Sequence, residues 1–407
     1  MGKTKTLTEG TPWKQILLFS IPIFWGNIFQ LLYSLVDTKI VGSTLGTEAL
    51  AAVGSVSTLH TLMTGFLNGL TLGFSLITAM CFGADNMKRL KKSFAMTMEL
   101  GVMTTTVLVV ALMLVLQPLL HLLNVPEEQF AMSYAYISVL IVGLFATVLY
   151  NLCANTLRAI GDSLTPLLFL ILATVSNIGL DYLFMGVMHM GPAGAALGTT
   201  LSQTISVIIS LWVILKKQTG ITMKKADFSP EKQTMGQVLK IGIPIAAQDG
   251  FIQIAFIIIT IIANRRGLSA AAAVGIVEKI ISFLFLVPSS MLSTVSALGA
   301  QNMGAGSVKR IREGFKACTI VGVVYSIVAA TFIMTVGKFM TYLFVSEDVK
   351  VIMSSVDIYL KCIGIFFIPL AVVNIYRNGI QGIGYGFLPM MAGVAELSGR
   401  GIMAVIA

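Results

Sequence analysis

The sequence has little charge for its length, and soluble proteins depend on charge. Charged residues make up 11% of its 407 residues, whereas a typical soluble domain has about 25%. Hydrophobic residues make up 56%, and the mean hydropathy is +0.89. These values exclude a soluble globular enzyme, a disordered tail and a fibrous protein. They favour a helical protein that crosses a membrane many times.

Cysteine, histidine and the common catalytic motifs are scarce or missing as well. The four cysteines lie in apolar stretches without C-x-x-C spacing, which is typical of small core residues and not of a disulfide framework or a metal site. The three histidines are far apart in the sequence and predict no metal cluster. No G-x-x-x-x-G-K-[ST], G-x-S-x-G or H-E-x-x-H motif occurs. We therefore expect a protein that is not an enzyme, has no ATPase of its own and has no cofactor.

Apolar runs of membrane-crossing length follow one another along the whole chain, and about eleven of them match a hydrocarbon layer of roughly 30 Å. They lie near 16–40, 49–82, 94–116, 131–153, 164–187, 193–215, 238–263, 270–298, 317–336, 349–375 and 387–407. The predicted fold class is therefore all-α, a polytopic membrane protein. The first run is long for a signal peptide and has no small-residue cleavage site after it, so we do not expect its removal.

Basic residues collect in alternate loops of this plan. They precede the first span and follow the second, fourth, sixth, eighth and tenth: Lys3, Lys5, Lys14, Lys88, Arg89, Lys91, Lys92, Arg158, Lys216, Lys217, Lys224, Lys225, Lys232, Lys240, Lys309, Arg310, Arg312, Lys316 and Arg377. The opposite loops carry mainly acidic residues, with Arg265 and Arg266 as the exception. By the positive-inside rule the N-terminus is cytoplasmic. The net charge of +9 is thus mostly a topology signal, and we expect no nucleic-acid partner.

The chain resembles itself at an offset of about 222 residues. Ser20-Ile21-Pro22-Ile23 matches Gly242-Ile243-Pro244-Ile245, and Gly83-Ala84 matches Gly304-Ala305. The segments 51–54 and 155–166 also have counterparts, at 272–275 and 378–389. Several matches in order at a nearly constant offset indicate an internal duplication. Each repeat unit would hold six spans. Because six is an even number, the two units form six-helix bundles with the same orientation in the membrane and a cavity between them.

The duplication also sets the predicted domain boundaries. The first lobe covers 1–216, a polar cytoplasmic linker covers 217–237, and the second lobe covers 238–407. A full second unit has a twelfth helix, for which the sequence given has no counterpart. The expected plan is therefore twelve helices, with about eleven spans present.

The first polar cluster inside the predicted membrane region joins spans one, five and six. Tyr33 and Asp37 share one helical face, and Asn177 and Asp181 share another. At 1.5 Å per residue, Asp37 lies about 30 Å along its outward-running helix and Asp181 about 25 Å along its own. Thr199 lies about 9 Å into an inward-running helix, so all of these side chains reach the outer half of the bilayer.

This cluster suits H⁺ or a hard cation such as Na⁺, held by Asp37, Asn177, Asp181 and Thr199 with Tyr33 beside them. The alternative is that Asp37 caps its helix and Asp181 lies at the water interface.

Two further clusters lie in the second lobe. Gln248, Asp249 and Gln253 on the seventh span are either a substrate anchor or an interhelical hydrogen-bond group. Glu278 on the eighth span is a candidate for the substrate cavity, while Glu396 and Arg400 have the spacing of a structural ion pair.

Four prolines interrupt predicted spans: Pro22, Pro244, Pro288 and Pro369. Pro22 is on the same helix as Asp37, and a proline in mid-membrane frees a carbonyl group and favours a bend. Pro22 is therefore a candidate hinge that responds to changes at Asp37. A static kink is the other interpretation.

Several short segments together resemble the multidrug and toxic-compound extrusion (MATE) family. They are Leu35-Val36-Asp37-Thr38, Gly46-Thr47-Glu48-Ala49-Leu50-Ala51-Ala52, Arg158-Ala159-Ile160-Gly161-Asp162 and Ser176-Asn177-Ile178-Gly179-Leu180-Asp181. The resemblance extends over the whole chain, and the pattern of acids is most similar to the DinF-like branch. It implies twelve helices in two bundles that alternate between outward- and inward-open forms. It further implies that Asp37, Asn177 and Asp181, with Tyr33 and Thr199, bind H⁺ or Na⁺, and that Pro22 bends the first helix.

The resemblance implies a cation-coupled antiporter that exports lipophilic, often cationic, organic compounds. We expect it as a monomer in the plasma membrane, the inner membrane of a bacterium or archaeon, where its partners are small organic molecules and the bilayer. Two other functions are weighed. A lipid-linked sugar flippase of related architecture needs a basic cavity for phosphate, and few basic residues lie within the predicted spans. A non-transporting scaffold or receptor is the alternative from another class.

Overall fold

A computed structural model describes residues 7–216, 223–343 and 349–406, and these residues are helical almost throughout, without a β-strand. The helices are α1 Pro12–Gly83, α2 Met87–Leu122, α3 Glu127–Ala159, α4 Leu164–Asp181, α5 Pro192–Lys216, α6 Lys232–Arg265, α7 Leu268–Leu284, α8 Leu286–Gly304, α9 Val308–Thr335, α10 Val349–Gly382 and α11 Phe387–Ile406. A π-helical segment, Tyr182–Val187, continues α4, and 3₁₀ segments lie at Lys225–Phe228 and Gly337–Leu343. The predicted all-α class is confirmed.

The helices match the predicted membrane spans. Eight helices of the described residues are long and apolar enough to cross a membrane, and the pair α7–α8, bent by 51°, forms a ninth such span. The 72-residue α1 holds two spans, because Gly46 has φ 83° and breaks the helix. The last predicted span corresponds to α11, which is not among these helices and contains Glu396 and Arg400.

Three of the four prolines lie inside continuous helices, and the fourth lies beside a bend. Pro22, Pro244 and Pro369 lie inside α1, α6 and α10, and none of them ends its helix. Pro288 is in the first turn of α8, just after the bend at Phe285, where proline's missing N–H costs no hydrogen bond. Inside a helical bundle, local adjustment and neighbouring groups satisfy the carbonyl that proline frees, so a continuous helix survives.

Two bundles, α1–α5 and α6–α11, enclose a polar cavity, and α1 packs along both α6 and α8 of the second bundle. α6 begins at Lys232, within the predicted linker 217–237, and residues 217–222 of that linker lie outside the described residues. We call the side of the molecule that carries the starts of α1 and α6 and the ends of α3 and α8 the N-terminal face.

Hydrogen bonds and a close backbone contact join the two bundles at the N-terminal face. Gln301 of α8 accepts a hydrogen bond from the Leu7 backbone at 2.9 Å and donates one to the carbonyl of Ala159 at 2.7 Å. Arg89 of α2 donates to Gln237 of α6 at 2.9 Å. The end of α1 also meets the end of α8 backbone to backbone: a Cβ on Gly83 would lie 1.8 Å from the Gln301 carbonyl oxygen. These contacts close the molecule on this side.

Candidate functional site

The acidic cluster of the first lobe assembles as the sequence predicts. Asp181 is 0% exposed at the end of α4, and Asn177, one turn earlier, is 1% exposed. The Asn177 amide donates to Asp181 Oδ1 at 3.1 Å. Asp37 of α1 is half-buried, and its carboxyl group lies within hydrogen-bonding reach of Asp181. Two acidic side chains from separate helices therefore share one site.

Neither structural alternative for these acids fits the geometry. Asp37 lies more than two helical turns before the break at Gly46, so it caps no helix end. Asp181 is fully buried, so it does not lie at a water interface. The two carboxyl groups are held inside the bundle at the cost of their hydration.

Tyr33 and Thr199 complete the cluster. The Tyr33 hydroxyl lies 3.0 Å from Thr199 Oγ1, which joins α1 to α5. Beside Thr199, Gly198 allows α5 to approach the acid, because a Cβ there would lie 2.1 Å from Asp181 Oδ1. Sequence reasoning missed Gly198, since the requirement for glycine arises only from the packing of α5 against α4.

Three acceptor oxygens of this cluster are buried and have no hydrogen-bond partner: Asp37 Oδ1, Asn177 Oδ1 and Asp181 Oδ2. A buried acceptor without a donor is costly, and paired carboxylates repel each other at short range. A proton on the acid pair, or a hard cation among these oxygens, would remove both costs. The donor set is all oxygen, and the described residues contain no cluster of three His, Cys, Asp or Glu side chains suited to a transition metal.

The second-lobe residues divide between the cavity and the packing around it. Asp249 lines the cavity between the bundles. Gln248 is 1% exposed and accepts a hydrogen bond from Gln381 at 2.9 Å while its own amide lies 3.3 Å from Asp249 Oδ1. Gln253 packs against Gly65 of α1. The structure thus places Asp249 as the anchor candidate, and Gln248 in the interhelical hydrogen bonding that was the alternative.

Glu278 belongs to a charged network rather than to the cavity lining. Arg400 lies near enough to Glu278 for their charges to interact, pairs with Glu396 and stacks on Phe256 with its guanidinium 4.3 Å from the ring centre. Glu396 also pairs with Arg377 of α10 at 3.3 Å. The Glu396–Arg400 pair therefore forms as predicted, within a network that connects α6, α7, α10 and α11.

Two arginines lie elsewhere than predicted. Arg158 and Arg377 were assigned to loops because they follow apolar runs, yet both are inside helices, α3 and α10, and each has a buried Nε atom without a partner. Helices extend beyond the apolar run that identifies them, so hydropathy alone ends these spans too early.

The cavity between the bundles has a volume of about 240 Å³. Its polar lining comes from both lobes: Asn27, Gln30, Asn68, Tyr150, Asn151, Asn155, Arg158, Ser163, Asp249 and Ser293. Pro22 is part of its wall, in an unbroken stretch of α1. The hinge role of Pro22 stays a prediction.

The helical fold, the two bundles and the cavity between them are those of a polytopic membrane transporter. The sequence profile of the MatE family matches the chain twice, over residues 22–183 and 244–404. The chain therefore belongs to the MATE family, whose members are transporters and not enzymes. The two matches begin at Pro22 and Pro244, which are equivalent positions of the internal repeat.

Named relatives agree with this assignment. The chain is 31% identical over 382 residues to the probable multidrug resistance protein YpnP of Bacillus subtilis, a match that covers 93% of this chain and 84% of YpnP. It is 20% identical over 394 residues to the multidrug export protein MepA of Staphylococcus aureus, covering 97% and 84% of the two chains. A crystal structure of MATE in complex with MaL6 superposes with a TM-score of 0.89 at 23% identity, covering 98% of this chain and 90% of that one.

Proposed function

We propose that the protein is a secondary antiporter that exports organic compounds in exchange for inward flow of H⁺ or Na⁺. The observation that carries the proposal is the first-lobe cluster, in which Asp37, Asn177 and Asp181 each present a buried oxygen without a hydrogen-bond donor. An ion that enters this cluster changes its charge and its hydrogen bonding. Such a change can favour one conformation of the surrounding helices over another.

Coupling follows if the ion and the substrate favour different conformers. At the N-terminal face the two bundles are joined through Gln301, Gly83 and Gly304. We propose that this face is cytoplasmic, so that the conformer described here is the one that excludes the cytoplasm. Opening this face and closing the opposite one would then move the cavity contents across the membrane.

The substrates proposed are small lipophilic organic compounds, as the multidrug names of YpnP and MepA suggest. Assignment to the DinF-like branch rests on the same Asp37, Asn177 and Asp181 cluster. A monomer in the plasma membrane suffices for this function, because both lobes and the cavity between them come from one chain.

The test is efflux of a cationic dye from proteoliposomes that contain the purified chain, with a pH gradient and a Na⁺ gradient imposed in parallel. Efflux driven by one gradient identifies the ion. We expect Asp37→Asn and Asp181→Asn to abolish gradient-driven efflux, because an amide cannot exchange a proton and binds Na⁺ weakly, while both variants still insert into the membrane.

The matched control is Asp85→Asn. Asp85 is exposed on the N-terminal face and has φ 52°, a conformation that asparagine tolerates. Dye efflux should be unchanged in this variant. Normal gradient-driven efflux by both Asp37→Asn and Asp181→Asn would overturn the proposed ion site.

A further inference from the structure

The cavity contains an arginine that pairs with no acid among the described residues. Arg158 lines the cavity near the end of α3, where its Nη1 donates to Asn155 Oδ1 at 3.2 Å. Its Nε is buried and has no partner, and among the described residues no carboxylate pairs with it. An arginine in a membrane protein without a counter-charge is costly and is a functional candidate.

Asp249, the acid that shares the cavity, lies on its second-lobe side. Asp249 accepts a hydrogen bond from the Gln248 amide. It also lies near enough to Arg377 for their charges to interact. Arg377 belongs in turn to the chain of pairs with Glu396 and Arg400. The cavity therefore has an acid on its second-lobe side, Asp249, and an arginine on its first-lobe side, Arg158, for which the described residues provide no carboxylate partner.

The amides around Arg158 supply further donors. Asn151 and Asn68 are hydrogen-bonded to each other at 2.9 Å, with one amide donating and the other accepting. Whichever way the two amides are oriented, the accepting one keeps a free NH₂ group on a cavity-lining residue. Arginine combined with amide donors is the set of groups that recognises carboxylate, sulfonate and phosphate oxygens.

We propose that this cavity binds small organic anions through Arg158, with the Asn68–Asn151 pair as a second donor. The cavity of about 240 Å³ exceeds the roughly 150 Å³ that accommodates benzene, so an aromatic ring that carries one anionic group fits it. The inference rests on the proposed function in one respect only: it makes such anions substrates of the exporter, in addition to the cationic compounds expected from the family.

The experiment compares two ligands with the same ring system and opposite charge, 2-naphthoate and N,N,N-trimethyl-2-naphthylammonium. Binding to the purified full chain is measured by equilibrium dialysis in a neutral detergent, without any gradient. We expect the wild type to bind 2-naphthoate. Arg158→Gln should weaken that binding by about tenfold or more, as the loss of a charge-assisted contact predicts, and should leave the naphthylammonium ion bound at least as well.

Asn155→Asp is the second variant, since it keeps the arginine and the shape of the side chain. Asn155 already accepts a hydrogen bond from Arg158, so a carboxylate at this position would pair with the arginine. We therefore expect it to weaken 2-naphthoate binding to a similar degree. Arg312→Gln, which removes an exposed arginine from the start of α9, is the control and should bind 2-naphthoate as the wild type does.

The inference is overturned if the wild type does not bind 2-naphthoate, or if Arg158→Gln and Asn155→Asp bind it as the wild type does. The two proposals fail separately. Normal dye efflux with no 2-naphthoate binding contradicts only the anion site, whereas Arg158-dependent 2-naphthoate binding without dye efflux under either gradient contradicts only the antiporter.

Discussion

At the scale of single residues, the function proposed for this protein depends on a few polar atoms placed where hydration is lost. Asp181 is held by Asn177 and faces Asp37, and each of the three presents an oxygen without a donor. An isolated buried carboxylate is expensive and is retained only where something offsets its cost. We propose that an exchangeable ion offsets it here, which would make the cluster sensitive to the ion supply.

Gly198 tests how closely the cluster must be packed. In Gly198→Ala the new Cβ would lie 2.1 Å from Asp181 Oδ1, so either the carboxylate or α5 must move. We expect gradient-driven dye efflux to fall by about tenfold, the change that roughly 1.4 kcal/mol of weaker ion binding produces. The measurement is the initial efflux rate in proteoliposomes at equal protein content.

Gly179→Ala is the matched control for this prediction. Gly179 is also a helical glycine, two residues before Asp181, but nothing lies within 4 Å of its Cβ position. Efflux should be retained in this variant. Equal efflux rates in Gly198→Ala and wild type would mean that the carboxylate of Asp181 is not needed where the structure places it.

Much of this cluster could be predicted from the sequence, because spacing of four residues and the direction of each span bring Tyr33, Asp37, Asn177, Asp181 and Thr199 to one level of the bilayer. Arg158 could not be placed. A basic residue after an apolar run is typical of a cytoplasmic loop, and only the packing of α3 beside α1 and α4 puts it at the cavity.

At the scale of helices, the closed N-terminal face depends on two glycines in equivalent positions of the repeat. Gly83 ends α1 against the Gln301 carbonyl, and Gly304 ends α8 against the Met80 carbonyl, with Cβ positions 1.8 and 1.9 Å from those oxygens. Backbone cannot move aside as a flexible side chain can. The helix ends therefore meet only if both residues lack a side chain.

We expect Gly304→Ala to prevent this closure and to shift the protein towards conformers open at the N-terminal face. Cys81, 5% exposed and close to the contact, is a native reporter. Its labelling by a maleimide, followed by mass spectrometry, should accelerate by roughly tenfold, the change in population that about 1.4 kcal/mol produces.

Gly236→Ala serves for comparison, because nothing lies within 4 Å of that Cβ position near the start of α6. Its Cys81 labelling rate should equal that of the wild type. If Gly304→Ala also labels at the wild-type rate, the glycine contact does not control the closure of this face.

Helices were predictable in kind and nearly in number, since each is marked by its own apolar run. The turns between helices and the bends within them were not predictable. The chain turns at Gly46 without an intervening loop, and the eighth span bends by 51° at Phe285 while Pro22, Pro244 and Pro369 stay within unbroken helices. Whether a proline bends a helix depends on the neighbours that satisfy the freed carbonyl, which a single sequence does not contain.

At the scale of the whole molecule, two bundles of one chain line a cavity and contact each other at the N-terminal face, where the excess of basic residues lies. Lys309 and Arg312 at the start of α9 are exposed there, and Glu127 at the start of α3 is exposed at the opposite face. By the positive-inside rule we expect this face to be cytoplasmic. The outward export proposed above requires this orientation.

Cysteine labelling in intact cells tests the orientation. With Cys362, the exposed native cysteine, replaced by serine, we expect Glu127→Cys to react with a membrane-impermeant maleimide in intact cells. Lys309→Cys should react only after permeabilisation. The reverse pattern would place the N-terminal face outside and would reverse the direction of transport proposed here.

The central claim, that the Asp37–Asp181 cluster exchanges an ion against substrate, is tested most directly without a gradient. The measurement is the release of H⁺ into weakly buffered solution, or of bound radioactive Na⁺, when a cationic dye is added to the purified chain. We expect one of the two ions to be released by the wild type and by Asp85→Asn, and neither by Asp37→Asn or Asp181→Asn. Undiminished release by both acid variants would show that the exchanged ion is bound elsewhere in the molecule.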